Sequence, residues 1–505
     1  MIFPRGSGIL LHPTSLPGPY GSGDLGPAAY HFVDWMVVAG QSLWQMLPLG
    51  PVGLGNSPYM SLSAFAGSSH LIDLQELAGR GLLTQQDLAS VPAFSSNRVD
   101  YAKVIPFRLE CLRKASERFF AAAGVADRKD FDSYCASASL WLEDYALFGA
   151  LHEKYQGKLW TEWDGDLVRR KPLALRKAAK DFAPAVRFQK FVQWCFARQW
   201  KNLKRYANER GIKIIGDIPI FLSHQSADVW ANPEQYILDA KGNPTVVAGV
   251  PPDYFSKTGQ RWGNPLYRWN VMKADRYRWW VERVRRSLEL FDIVRIDHFR
   301  GFVAHWEIPA VEKTAVKGKW VKGPGPALFT TLVKTFKEIP IIAEDLGLIT
   351  PEVVALRDQF QYPGMKVLHF AFTDGPENVM LPHHFKSNCV VYTGTHDNDT
   401  TRGWFNTAPE HEKNFFRWYG KSDGNEVHWD LIRLASQSIA DMAVVPFQDV
   451  LGLGIEGRMN YPGRPVGNWD WRFSWDAVQR HHALRLYELT ALYGRCKPDR
   501  LKIPS

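Results

Sequence analysis

The residues best suited to chemistry stand at the ends of short apolar runs. Phe291-Asp292-Ile293-Val294-Arg295-Ile296-Asp297-His298 is rich in β-branched residues, and apart from Asp292 its charged residues come towards the far end. A strand covered on both faces reads as a near-continuous apolar run, so Arg295 and Asp297 need a reason to be there. Taken alone, they fit a buried ion pair as well as a catalytic couple. Three further acids share the setting: Asp217 in IIGD, Glu344 in IIAED and Asp397 in VVYTGTHD. With Arg295, His298 and His396 they amount to an acid–base set, provided that the strand ends converge on one cavity.

Two chemistries suit such a set. A metal centre would draw on His and Asp ligands, but the chain has no H-x-H and no H-E-x-x-H, so no metal is expected. The alternative is glycosyl transfer by two carboxylates, which in retaining enzymes lie about 5–5.5 Å apart, one as nucleophile and one as acid/base. The acid must hold its proton while the nucleophile stays ionised. Arg295 lies two residues before Asp297 and projects from the same strand face, where it can keep Asp297 ionised. Glu344 has no basic residue at that spacing, which suits a proton donor.

The elements that would position these residues alternate between strand and helix. Strands are predicted at 6–16, with a Pro/Gly-rich turn following, and at 42–49, 212–221, 292–297, 340–344, 364–372, 389–393 and 441–447. Helices are predicted at 28–39, 274–290, 327–336, 351–359 and 427–439. Eight strands in this rhythm point to a parallel (β/α)8 TIM barrel, whose active site sits at the C-terminal ends of its strands. The whole chain, 1–505, is expected to form one catalytic barrel domain. A largely helical insertion is expected at about 68–205, and a Pro-, Gly-, Trp- and Tyr-rich loop insertion at about 223–272, over the site. The stretch past Trp306 and Trp320 reads as loop.

Composition narrows the partners. The net charge of +9 comes from 61 basic and 52 acidic residues, a mixed-sign surface. The densest basic run, Arg169 to Lys180, lies in a Leu/Ala-rich helical segment and reads as a solvated face, so no nucleic acid is expected. Five dispersed cysteines without C-x-x-C suggest reduced thiols, and neither a signal peptide nor a membrane-spanning segment is apparent. The expectation is a soluble cytoplasmic protein with no membrane association. Aromatic content is high, with 20 Trp, 18 Tyr and 29 Phe. Flat rings match the C–H face of a sugar, so carbohydrate is a reasonable ligand. Gly452 to Gly457 satisfies G-x-G-x-x-G, but it follows the last strand with no further βαβ unit and reads as a tight closing loop.

A set of motifs gives the chain a resemblance. They are GSGILLHPTSLPGPYGSGDLG at 6–26, SPYMSLSAFAG at 57–67, GDIPIF at 216–221 and VPPDYFSKTGQRWGNP at 250–265. They continue with VRIDHFRG at 294–301, IIAEDLG at 341–347, GTHDNDT at 394–400 and RMNYPGRPVGNWDWR at 458–472. Together they resemble the 4-α-glucanotransferases of the amylomaltase, or disproportionating-enzyme, type within the α-amylase superfamily. The resemblance implies Asp297 as nucleophile, Glu344 as general acid/base, and Asp397 as a third carboxylate gripping sugar hydroxyls. It implies that Arg295, His298 and His396 bind the sugar at the cleavage point and that Tyr59 stacks on it. Ser57, Asp217, Gln260, Trp262, Asp374 and Asn468 would then lie along the glucan groove, although Tyr59 and Trp262 also fit core positions. Malto-oligosaccharides and α-1,4-glucans are the implied substrates, with no cofactor and no protein partner. An α-glucan hydrolase would use the same carboxylates; a non-catalytic glucan-binding protein would be marked by the loss of one, and all three are present.

Overall fold

The computed structural model describes residues 3–89, 91–252 and 256–496; Asp253, Tyr254 and Phe255 of the motif at 250–265 lie outside the described residues. Eight parallel strands form one sheet in the order Gly364–Val367, Cys389–Tyr392, Met442–Pro446, Gly6–Leu10, Leu43–Gln45, Lys213–Pro219, Ile293–Asp297 and Ile341–Ala343. These are the eight strands expected from the sequence. Their centres are short and buried throughout, as in Ile341-Ile342-Ala343 and Met442 to Pro446. A strand with helices on one face and barrel interior on the other has no solvent face to spend polar residues on. The sheet curls until its two ends nearly meet, and one backbone bond, Ala343 N–H to Pro363 carbonyl at 2.9 Å, crosses the seam. The arrangement is a (β/α)8 barrel.

One glycine is demanded by this packing. A Cβ on Gly8 would lie 2.3 Å from the Leu43 carbonyl oxygen, so the first two strands approach only because it is absent. The predicted helix at 351–359 is Pro351–Gln359, with proline at its first turn where no N–H is needed. The predicted strand at 364–372 stops at Val367, and Leu368–Phe370 forms a 3-10 turn, because the chain has reached the barrel rim and must turn away.

Between the second and third strands run helices Tyr101–Ala122, Val125–Ser137, Ser139–Lys154 and Ala183–Glu209. The last of these buries Phe188, Phe191, Cys195, Trp200, Leu203 and Ala207 at helical spacing. It also buries two glutamines that act as clamps. Gln193 accepts the Gly67 N–H (2.7 Å) and donates to the Gly67 carbonyl (2.9 Å). Gln199 does the same at Asp73, at 2.8 and 3.1 Å. Each side-chain amide pairs like a strand neighbour and fixes the loop that carries Ser57 and Tyr59. Much of the basic run before this helix is neutralised locally: Arg170 meets Asp144 at 2.6 Å and Lys171 meets Asp166 at 2.8 Å.

The insertion after the third strand is more ordered than its composition suggested. Val246–Val250 and Gln260–Pro265 pair antiparallel, and the sheet continues through Ala304–Pro309 and Lys319–Lys322. Trp306 and Trp320, read from the sequence as loop residues, are cross-strand partners with ring centroids 5.1 Å apart. The Ala304–Pro309 strand is held by Val246–Val250, more than fifty residues earlier in sequence, which no local pattern reveals. Gly452 to Gly457 forms a turn and a 3-10 helix at Ile455–Gly457, and the Gly454 N–H is taken by Glu456 at 2.7 Å. Among the described residues, no helix is long and apolar enough to cross a membrane.

Candidate active site

Parallel register creates the centre of the site. Asp217 and Arg295 are direct cross-strand neighbours, and Pro219 faces Asp297 one dipeptide further on. Side chains two apart on a strand share a face, so Arg295 and Asp297 both point inward. One guanidinium nitrogen, Arg295 Nη1, lies 2.6 Å from Asp217 Oδ2 and 3.1 Å from Asp297 Oδ1. Burial works against the charge on Arg295, but Asp217 and Asp297 outweigh it and hold the guanidinium firmly charged. Burial pushes the Asp297 carboxyl up to about 6, with Arg295 pulling against it and Asp217 and Asp397 adding to the rise.

Glu344 stands immediately beyond the Ile341–Ala343 strand and is buried. Its Oε2 accepts the His298 N–H at 2.6 Å and its Oε1 accepts the Leu346 N–H at 2.8 Å. His298 achieves this in a left-handed conformation (φ 55°), which a non-glycine residue adopts at a cost, and which turns its N–H towards the carboxylate. Burial, reinforced by nearby Asp297, lifts Glu344 to about 8, while Arg295 and the two N–H bonds pull it back. The two acids therefore differ in proton affinity, in the direction their environments require. The His298 imidazole is pushed down to about 3 by burial, with Arg300 and His305 adding to the fall, so it is neutral, and its buried Nε2 has no protein partner.

The third acid comes from the loop after Cys389–Tyr392. Asp397 is half exposed, and its Oδ1 accepts from Asn460 Nδ2 at 2.6 Å and lies 3.4 Å from His396 Nε2. Tyr59 lies against the same histidine with rings 5.1 Å apart and nearly parallel (19°). Its hydroxyl donates to Asp217 Oδ2 at 2.8 Å, and burial with Asp217 nearby holds the phenol proton tightly. Thus Tyr59, Arg295, His298, His396 and the carboxylates of Asp297, Glu344 and Asp397 come together.

Other expected groove residues spread outward. Trp262 stands on the antiparallel sheet, edge-on to His298 at 4.8 Å, and donates to Gln260 Oε1 at 3.2 Å. Asp374 is exposed on the loop after Gly364–Val367 and accepts from Thr373 at 2.7 Å. Ser57 caps the short turn of Tyr59, accepting its N–H at 3.2 Å.

Two residues expected along the groove have little or no exposed surface. The Asp217 side chain has no exposed surface, because Arg295 and Tyr59 cover it. Asn468 is 7% exposed and spent on its own loop, accepting the Tyr461 N–H and donating to the Arg464 carbonyl, each at 2.8 Å. Conversely, the motif at 458–472 hid contributors that its spelling did not single out. Asn460 holds Asp397, Arg458 donates to the Asp397 carbonyl at 3.0 Å, and Trp469 packs on both Tyr59 and His396. Their only sequence signal was membership of that motif.

The chain is similar to known proteins along nearly its whole length. A family model described as 4-alpha-glucanotransferase matches residues 11–478. A 4-alpha-glucanotransferase of Thermus thermophilus is 53% identical over 494 residues, covering 96% of this chain and 98% of that protein. The chloroplastic/amyloplastic 4-alpha-glucanotransferase of Solanum tuberosum is 45% identical, covering 97% of this chain and 86% of the relative. Among solved structures, an amylomaltase from Streptococcus agalactiae in complex with acarbose superposes with a TM-score of 0.95 at 36% identity, covering 98% of this chain and all of that one. The chain belongs to the 4-alpha-glucanotransferase family and is a glycosyl-transferring enzyme.

Proposed function

We propose that the chain moves segments of α-1,4-glucan by a retaining double displacement through a glucosyl–Asp297 ester. Glu344 donates its proton to the glycosidic oxygen as the Asp297 carboxylate attacks the anomeric carbon, and the reducing-end fragment leaves. The 4-hydroxyl of an acceptor glucan or glucose then attacks the ester while Glu344 takes its proton back. The observation that carries this reading is the split proton affinity around Arg295: Asp297 at about 6 and Glu344 at about 8. Near neutral pH the first is ionised and the second protonated. The proton of Glu344 is free to point into the cleft, because each of its oxygens only accepts from the backbone.

Asp397, Arg295, His298 and His396 grip the sugar at the cleavage point and Tyr59 stacks on it. Trp262, Gln260, Asp374 and Ser57 extend the groove for malto-oligosaccharides, while Asp217 and Asn468 act from behind it. The reading uses no cofactor and treats the chain as one catalytic domain whose inserts shape the barrel mouth. Buried unpaired thiols such as Cys111, Cys195 and Cys389 suit a cytoplasmic site of action.

Hydrolysis would pass through the same intermediate. If acceptor is about 10⁴-fold scarcer than water, transfer needs roughly 5–6 kcal/mol of preference. A groove that positions acceptor and excludes water can supply it. Incubation with maltotriose separates the outcomes. A ladder of longer chains plus glucose at constant total reducing ends is expected; rising reducing ends would make the enzyme a hydrolase, and unchanged substrate a binding protein. Asp297→Ala should abolish turnover with the fold intact, and retained activity would remove Asp297 as nucleophile.

A further inference from the structure

The barrel has a seam, and it runs beside Glu344. Ile341–Ala343 pairs with Ile293–Asp297 on one side, but forms no ladder with Gly364–Val367 on the other. Besides the Ala343–Pro363 backbone bond, a side chain spans the gap. Asp345 Oδ1 accepts the Met365 N–H at 2.7 Å, and its Oδ2 is paired with Arg357 Nη1 from the connecting helix Pro351–Gln359. Asp345 is 9% exposed, so the carboxylate is buried with both oxygens satisfied. Space is kept for it: a Cβ on Gly364 would lie 2.4 Å from Oδ2 and 2.7 Å from Arg357 Nη1.

The consequences bear on Glu344. Glu344 is the residue before Asp345. Its backbone is tied to the neighbouring strand by Glu344 N–H to Ile296 carbonyl and by Phe299 N–H to Glu344 carbonyl, each at 3.0 Å. On the seam side its adjacent anchors are the Ala343 N–H bond to the Pro363 carbonyl and the Asp345 carboxylate. Met365, held by Asp345, places its sulfur 3.4 Å from Arg295 Nε, the residue that bridges to Asp297. One buried carboxylate thus ties the strand bearing Glu344 to the strand that backs Arg295.

We infer that Asp345, locked by Arg357, is a positioning residue of the transfer reaction: it replaces the missing ladder at the barrel seam and sets where Glu344 meets the glycosidic oxygen. This rests on Glu344 being the acid/base, and the test separates the two ideas. Asp345→Ala removes the latch outright. Gly364→Ala leaves Asp345 in place but drives a methyl group into its carboxylate. Each variant is assayed on maltotriose, which needs proton transfer, and on α-maltosyl fluoride with azide, which does not. In the latter, Asp297 displaces fluoride, which leaves with the bonding pair, and azide then displaces Asp297 to yield α-maltosyl azide.

Both variants are expected to lose about 10²-fold in kcat on maltotriose with KM little changed, and under about 3-fold in the fluoride–azide reaction. Parallel loss in the two assays, no loss in either, or failure of both variants to fold would reduce Asp345 to a fold-stabilising residue and overturn the inference. Glu344→Gln serves as the control. It should lose maltotriose turnover far more than the fluoride–azide reaction; if it does not, the acid/base assignment fails, independently of the latch.

Discussion

Arg295 divides one positive charge between two carboxylates, and that division sets the behaviour of the site. Asp217 lies closer to it than Asp297 does, at 2.6 against 3.1 Å, so Asp297 receives only part of the compensation for its burial. The result is that the Asp297 carboxyl sits near 6 and that of Glu344 near 8. In the proposed mechanism Asp297 works deprotonated and Glu344 protonated. kcat/KM should therefore rise through about pH 6 and fall through about pH 8, the two limbs belonging to the coupled pair. Asp217→Asn removes a negative charge that raises Asp297, so the acid limb should move to lower pH. A pH profile of that variant with the limb unmoved or raised would contradict the charge-sharing account. Both folded-state values exceed the usual carboxylate range. The stability linked to these protons is complete below about pH 4 and is lost as pH rises through about 6 and then 8. The unliganded enzyme is held together in spite of its active site.

Loops and strand ends carry the functional groups, and each needs its own anchor. The loop bearing His396 and Asp397 is fastened at both ends to buried Asp449. That carboxylate accepts from the Thr393 hydroxyl at 2.6 Å, and from the Thr401 N–H and hydroxyl at 2.7 Å each. Asp449→Ala leaves the Thr393 hydroxyl and the Thr401 N–H without that acceptor, while the Thr401 hydroxyl keeps His369 Nε2 at 3.0 Å. The variant should lose about 3 kcal/mol in a denaturant titration and show a weakened grip on substrate; stability unchanged within error would refute the anchor. The loop bearing Tyr59 depends instead on Gln193 and Gln199 of the Ala183–Glu209 helix. Apolar runs ending in an acid made the barrel strands readable, because a strand covered on both faces has few other sequences available. The antiparallel sheet with Trp262 was not readable. Its strands are short, interrupted by Gly and Lys, and stabilised by partners far away in the chain.

For the molecule as a whole, closure matters as much as the core. At the opposite end from the site, Arg495 is 2% exposed and donates to the carbonyls of Gly6, Ala435, Ser436 and Ser438 at 2.7–3.3 Å. It pins the C-terminal segment to the first barrel strand and to the helix Val427–Gln437. Burial lowers its guanidinium to about 9, yet it stays charged at neutral pH. Arg495→Met takes a donor from each of those carbonyls, of which Ser436 and Ser438 keep Arg5 and Ala435 keeps the Ser438 hydroxyl, and should cost roughly 2 kcal/mol, read as a lower Tm, with kcat at 25 °C preserved. A Tm equal to that of the parent would show the contacts to be dispensable.

Strand number, strand order along the chain and the candidate acids were all legible in the sequence, since burial on two faces leaves a strict local pattern that an acid at its end interrupts. Distinguishing an acid that touches substrate from one that stands behind it required the tertiary structure. Asp217 and Asp297 both end apolar runs and both bind Arg295. Only the cover that Tyr59 and Arg295 place over Asp217 turns one into a support and leaves the other facing the cleft. Asp345 and Asn460 fall in the same class: their partners Met365, Arg357 and Asp397 lie 12 to 63 residues away. Hydrogen bonding over that separation depends on how the barrel closes, and no local pattern encodes it.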